Sequence, residues 1–202
     1  MKRVLCILGL AAVLGGCGGS DFDDPKSLDK ILGKAVDIDE LQERENQARP
    51  DTEIYYEKNK QAPYSGWVKS MYSSGQVKVL GQFKEGLPHG EMASWYENGQ
   101  KRATENYKDG EKHGESIEWS RNGKKERQEN YKNGQKILEV GYENGQKSFE
   151  AEWKDDEPHG DYVSWHENGQ KSSAGSYKDG ELHGEVEGWY ENGQKSYRDE
   201  WK

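Results

Sequence analysis

Long hydrophobic runs are missing from this chain of 202 residues, and so is most of the usual core chemistry: 31% of residues are hydrophobic, with three Phe, three Met and five Pro. Those shortages exclude a membrane-spanning bundle and a large aliphatic core. With 33% charged residues, they would by themselves indicate a disordered polyelectrolyte. Seven Trp and 12 Tyr argue otherwise, because each buried aromatic removes about 150 to 250 Å² from water. Cysteine occurs only at Cys6 and Cys17, and positive charge is short: 29 Lys and Arg stand against 38 Asp and Glu, a net charge of −9. That balance disfavours nucleic acid and anionic lipid surfaces as partners.

Lys2 and Arg3 precede a short apolar run, Val4 to Val13, which Leu14-Gly15-Gly16-Cys17 closes with small residues. The run falls short of the ~20 residues that a bilayer span needs. The segment resembles a bacterial lipoprotein signal. The resemblance implies cleavage of a signal peptide at residues 1–16, acylation of the Cys17 sulfur, and membrane anchoring through two or three acyl chains. With Gly18 rather than Asp after the cysteine, it also implies delivery to the outer membrane in a Gram-negative host; a Gram-positive host would keep the protein on the outer face of its single membrane. Cys6 would leave with the signal and Cys17 would be consumed, so no disulfide is expected in the folded part. Losing Lys2 and Arg3 deepens the net charge to −11.

Residues 17–24 read as a lipidated tether, small and acidic after the cysteine. Residues 25–53 read as an amphipathic helix and cap: Leu28, Ile31, Leu32 and Ala35 recur at i, i+3, i+4 and i+7, with Ser27 at the N-cap position. The expected role is to cover the first edge of the region beyond residue 53; a partner-docking helix is the alternative. The pattern leaves open whether the helix restarts through Ile38 and Leu41.

From residue 54 onwards the chain repeats. Tyr96-Glu97-Asn98-Gly99-Gln100-Lys101 returns at 142–147, at 166–171 with His for Tyr and at 190–195, with weaker copies at 72–76 and 120–124, and the turn glycines lie 24 residues apart except for one step of 22, from Gly123 to Gly145. A second marker, His-Gly, recurs at His89, His113, His159 and His183, with Ser65-Gly66 in the same phase and Ile137-Leu138 in its place in the middle unit. Asn-Gly between strand-forming runs signals a hairpin with a type I′ turn. The turn residues are then Asn98 and Gly99, Asn144 and Gly145, Asn168 and Gly169, and Asn192 and Gly193. Asp109-Gly110 and Asp179-Gly180 turn the chain into the next unit.

A two-residue turn at Asn98-Gly99 sets Tyr107 opposite Gly90 and Tyr96 opposite Lys101. An aromatic column (Phe83, Tyr107, Tyr131, Trp153, Tyr177, Trp201) would then share a face with Tyr96, while Trp95, Trp119, Trp165 and Trp189 take the other. A bulge in either strand would shift this parity.

Tyr-x-Asn-Gly-Gln-Lys followed by Tyr-Lys-Asp-Gly-x-x-His-Gly resembles the bacterial variant of the MORN repeat, found in YwqK-like antitoxins, over residues 54–202. The resemblance implies an all-β fold: an elongated single-layer antiparallel array of about six hairpin units. The shortened middle unit and Asp156, where other units carry Gly, depart from the pattern.

No phosphate-binding loop, nucleophile elbow or zinc-protease motif is present, and histidines repeating about 10 Å apart cannot share a ligand sphere. The expectation is therefore a non-enzymatic protein without cofactor or metal. Resemblance to the antitoxins implies a protein partner, a toxin or effector of the envelope, with Tyr96, His166, Tyr190 and an acidic turn rim as candidate contacts; Trp95 and Trp189 are the candidates for glycan contact. The alternatives are a peptidoglycan- or glycan-binding module working through the aromatic columns, and a purely structural lipoprotein.

Overall fold

The computed structural model describes residues 22–47, 49 and 52–201; the signal segment, Cys17 and the start of the tether lie outside these residues. Helix α1 (Pro25–Leu32) is followed by β1 (Val36–Asp37), a 3-10 turn at Ile38–Glu40, and a hairpin of β2 (Leu41–Glu45) and β3 (Glu53–Glu57). Then come β4 (Gly66–Met71), β5 (Val77–Lys84), β6 (Leu87–Trp95), β7 (Lys101–Lys108), β8 (Glu111–Trp119) and β9 (Lys125–Lys132). The chain continues with β10 (Gln135–Glu143), β11 (Gln146–Lys154), β12 (Glu157–Trp165), β13 (Lys171–Lys178), β14 (Glu181–Trp189) and β15 (Lys195–Trp201). From β4 onward each strand pairs antiparallel with the next, β1 joins β4 in parallel, and one open sheet of 13 strands results. At ~4.8 Å per strand it extends about 58 Å. No helix among the described residues is long and apolar enough to cross a membrane.

Two kinds of connection alternate along the array. At Asn98-Gly99 the expected type I′ turn gives way to a five-residue loop, 96–100, in which Tyr96 N donates to Gln100 O (2.8 Å) and Gly99 N to Tyr96 O (2.9 Å). Only Gly99 enters the left-handed region, at φ 83°, and Asn98 does not. This is a type I turn closed by a left-handed glycine. It needs one left-handed residue instead of two, and the Asn98 side chain accepts from Gln100 N (3.1 Å). Asn168-Gly169 and Asn192-Gly193 behave alike, with Oδ1 accepting at 3.0 Å from Gln170 N and Gln194 N. The type I′ form belongs to the other connections, such as Asp109-Gly110 (φ 51° and 86°), and to Asn144-Gly145 (φ 53° and 85°).

The expected register holds away from the loop, with Gly90 opposite Tyr107. Next to the loop it slips: Ser94 pairs with Ala103 but Trp95 with Lys101, leaving Arg102 unopposed. Tyr96 therefore sits in the loop rather than opposite Lys101. Every glycine of the predicted column is paired as expected, Gly66 with Phe83, Gly114 with Tyr131, Gly160 with Tyr177 and Gly184 with Trp201.

His-Gly marks a wider irregularity. Glu105 pairs with Ser116 but Tyr107 with Lys112, so His113, Gly114 and Glu115 face Asn106 alone; Gly114 has φ 91°. In the middle unit, where Ile137-Leu138 replaces the motif, only Ile137 is extra. There the hairpin is also closed by two residues instead of five; one residue is lost at the bulge and one between Tyr142 and Gly145, compared with Trp119 and Gly123, which accounts for the step of 22. Asp156, the other departure, preserves its turn by taking φ 64° itself.

Among the described residues, the N-terminal end is the part covered on both faces. Phe22, Ala35, Leu80, Ala93 and Trp95 are buried on one face, with Leu28, Ile31 and Leu32 of α1 packed against them; Phe22 meets Trp67 and Trp95 edge-on at 5.8 and 6.1 Å. On the other face Leu41, Tyr64, Val68 and Phe83 are buried beside Val36, Ile38, Tyr55 and Met92. α1 thus lies on a face, and the edge strand β4 is met by β1. Its N-cap is Asp24, not Ser27: Pro25 begins the helix, and the Asp24 carboxylate accepts from Ser27 N (3.0 Å) and Ser27 Oγ (2.7 Å). Those bonds hold the Asp24 carboxyl below its usual pKa. The helix does not restart; Ile38 lies in the 3-10 turn and Leu41 in β2. The segment read as a tether is docked from Phe22 on, with Asp23 paired to Lys101 at 2.5 Å.

A left-handed residue with a Cβ costs roughly 1–2 kcal/mol relative to glycine. Asp156→Gly is accordingly expected to stabilise the protein by about 1 kcal/mol, read as a shift in the urea midpoint at unchanged slope.

Candidate functional site

The five-residue loops line one edge of the sheet, and side chains of three of them tie to the connection that follows. Tyr72 and Tyr96 donate their hydroxyls to the carbonyls of Trp95 and Trp119, at 2.8 and 2.9 Å. His166 stands in the same place in its unit and reaches Trp189 O through Nε2 at 2.8 Å, which assigns the hydrogen to that nitrogen. Asn98 Nδ2 donates to Arg121 O (3.0 Å) and Asn168 Nδ2 to Glu191 O (2.7 Å). Tyr96 and His166 are thus engaged between units, and Tyr190 of the last loop is 58% exposed. Trp95 is buried beneath Phe22, and Trp189 is half-buried. The candidate contact residues do not form one patch: Trp95 and Trp189 lie eight strands apart, about 38 Å. Four of the connections present acid on their exposed side, with Glu97, Glu143, Glu167 and Glu191 all exposed, whereas the 72–76 and 120–124 loops carry Ser73 and Arg121 at that position.

The opposite edge is joined by the histidines. His89, His113 and His159 accept through Nδ1 from the backbone N–H of Asp109, Asn133 and Asp179, at 3.5, 3.3 and 3.4 Å. Each acceptor belongs to one unit and each donor to the left-handed residue of the following turn. Ser65, in the same phase, accepts from Glu85 N at 2.9 Å through Oγ. No group of three or more His, Cys, Asp or Glu among the described residues is arranged to hold a metal ion.

The two faces differ in chemistry. On the face that α1 covers, three units lay a lysine over the next unit's ring: Lys101 over Trp119 (6.0 Å), Lys125 over Tyr142 (5.2 Å) and Lys147 over Trp165 (5.1 Å). Tyr142 therefore occupies the tryptophan position of its unit, not the loop position of Tyr96, because the single-residue bulge at Ile137 shifts it by one.

On the other face a charged network crosses the middle of the array. Glu129 and Glu139 face one another across β9 and β10, a repulsive pairing relieved by Lys136 (2.7 Å to Glu139, 3.7 Å to Glu129) and Arg127 (3.7 and 3.9 Å). Lys112 pairs with Glu105 at 2.6 Å. Tyr107 and Tyr131 donate to Glu105 and Glu129 at 3.1 and 2.9 Å. Burial first, and the carboxylates next, push both phenols well above their ordinary range. A depression of about 120 Å³ lies between loops, lined by Asn144, Lys147, Trp165 and His166.

Against this geometry, a family model described as the MORN repeat variant matches residues 88–109, 112–133, 158–179 and 182–202. Four units of the array are MORN-variant repeats. Each matched unit runs from a His-Gly strand through the five-residue loop and back. The middle unit, with its two-residue turn, and the first, with Ser65 for His, fall outside the matches. No curated protein matches the chain.

The histidine role predicts a graded series. His113→Ala should cost about 1 kcal/mol through the lost acceptor, and His113→Ser appreciably less, since Ser65 makes the same bond; thermal unfolding of the two variants checks the order.

Proposed function

We propose that the chain is a non-enzymatic envelope lipoprotein whose β rod binds a protein partner, acting as an antitoxin or immunity protein. The observation that carries this reading is the loop edge: Glu97, Glu143, Glu167 and Glu191 stand exposed along one side of a rigid, self-braced array. Glu143, Glu167 and Glu191 follow one another two strands apart, about 10 Å, and Glu97 lies four strands, about 19 Å, before Glu143. Such a row, on a chain of net charge −9, complements a basic protein and would accelerate its capture. The lipoprotein-like segment ending at Cys17 supports placement on a membrane surface.

Three experiments test the reading. In tandem-affinity purification from crosslinked envelope, the partner should be a basic protein whose recovery falls at least tenfold with Glu97→Lys, Glu167→Lys and Glu191→Lys combined; recovery indifferent to those charges overturns the proposed surface. If the partner is toxic, cells lacking this protein should die on its expression, and survival of such cells would remove the antitoxin role. For the anchor, Cys17→Ser should abolish palmitate labelling and membrane fractionation, and persistence of either would refute acylation.

A further inference from the structure

The face opposite α1 changes character beyond the charged network. One register row can be followed strand by strand from β10 to β15: Gly141, Phe149, Ser164, Ser173, Gly188 and Tyr197. None of the six is charged, in a chain where a third of all residues are. The same row in the first half ends in Glu118 opposite Arg127.

The rings in this row lie flat. A Cβ at Gly141 would come within 2.1 Å of the Phe149 ring, and one at Gly188 within 2.1 Å of the Tyr197 ring. Each ring therefore rests one side on its neighbouring strand and turns the other to solvent, with Phe149 38% and Tyr197 46% exposed. In the adjacent row Tyr162 lies against Gly175 in the same way, a Cβ there coming within 3.0 Å of it. Between the two platforms, four strands apart and so about 19 Å, the floor is hydroxyl: Ser164 Oγ meets Ser173 Oγ at 2.6 Å and Ser172 Oγ at 2.8 Å.

We propose that this row is a binding surface for an uncharged polysaccharide strand. A sugar ring presents a face of C–H groups and a rim of hydroxyls. The first is attracted to the electron-rich face of an aromatic ring, and the second pairs with serine hydroxyls that can both donate and accept. The charge pattern selects the occupant. A second copy of this chain would bring another net charge of −9 against the first, and an acidic polymer would meet the same repulsion, whereas a neutral glycan meets none. The surface is separate from the loop edge and does not depend on a protein partner binding there.

The test uses the purified full chain and calorimetric titration with cellohexaose and chitohexaose as neutral probes and hexagalacturonate as the charged one. At least one neutral probe should bind, shift the NMR ring signals of Phe149 and Tyr197 in the unmodified protein, and lose at least tenfold in affinity with Phe149→Leu or Tyr197→Leu. Both variants keep an aliphatic cover over the glycine and should retain the parent's thermal unfolding. Tyr190→Leu, on the loop edge, should leave affinity unchanged. The proposal is overturned if neither neutral probe binds, if hexagalacturonate binds as well as they do, if the two ring signals do not move, or if sedimentation shows the row buried in a dimer of the chain.

Discussion

A sheet one layer thick has no interior, so every strand must find its cover on the strands beside it. This constraint governs almost everything else in the molecule. From β5 to β14 each strand is flanked only by its predecessor and its successor, so stability accumulates from nearest-neighbour terms. Each neighbour must then supply backbone bonds along the strand and side-chain cover on both faces. Flat aromatics over glycine, and lysine stems laid along the next unit's indole, meet the second need with few aliphatic residues. The polar composition is a consequence of the architecture.

Both long edges of the array carry a second set of bonds that skip a strand. Tyr96 or His166 ties loop to loop, and His113 ties bulge to turn. A two-stranded hairpin is marginal by itself, and these ties join hairpins across the strand between them. Such bracing resists shear, the softest motion of a single layer. The N-terminal end is different in kind. There α1 covers one face and the β2–β3 hairpin the other, and Leu80 is fully buried. Folding that begins at this doubly covered end has the largest apolar burial to gain, and the successive units can add to it in order.

Much of this was legible before the structure. Glycines at a period of 24, aromatics opposite glycines, and the odd middle unit follow from spacing, and the pairs Gly90–Tyr107 and Gly114–Tyr131 form as that spacing requires. The turn type at Asn98-Gly99 was not, because Asn-Gly suits both a I′ turn and a left-handed glycine after a type I turn, and the choice rests on a bulge at Arg102 that no local preference encodes. Nor does the sequence separate Tyr142 from Tyr96: identical hexapeptides at 96 and 142 occupy different positions once the bulge at Ile137 has one residue fewer. The loop-edge positions chosen as contacts, Tyr96 and His166, turn out to be engaged between units, since a hydroxyl and an imidazole in one phase reveal a shared carbonyl only when the next strand is in place. Phe22 gave no periodic signal at all, being a single aromatic whose partners, Trp67 and Trp95, are 45 and 73 residues away.

The docking of Phe22 also bears on how the rod would stand at a membrane. If Cys17 carries the lipid, only residues 18–21 separate it from the first packed residue, and four residues reach at most about 14 Å. The doubly covered end would then be held close to the bilayer, with the open aromatic row and the last loops farthest along an array about 58 Å in extent. Burial and exposure differ along the chain: the most buried packing lies at the N-terminal end, while Phe149, Tyr190, Tyr197 and Trp201 are exposed in the other half, Met71 being the exposed large apolar side chain of the first strands.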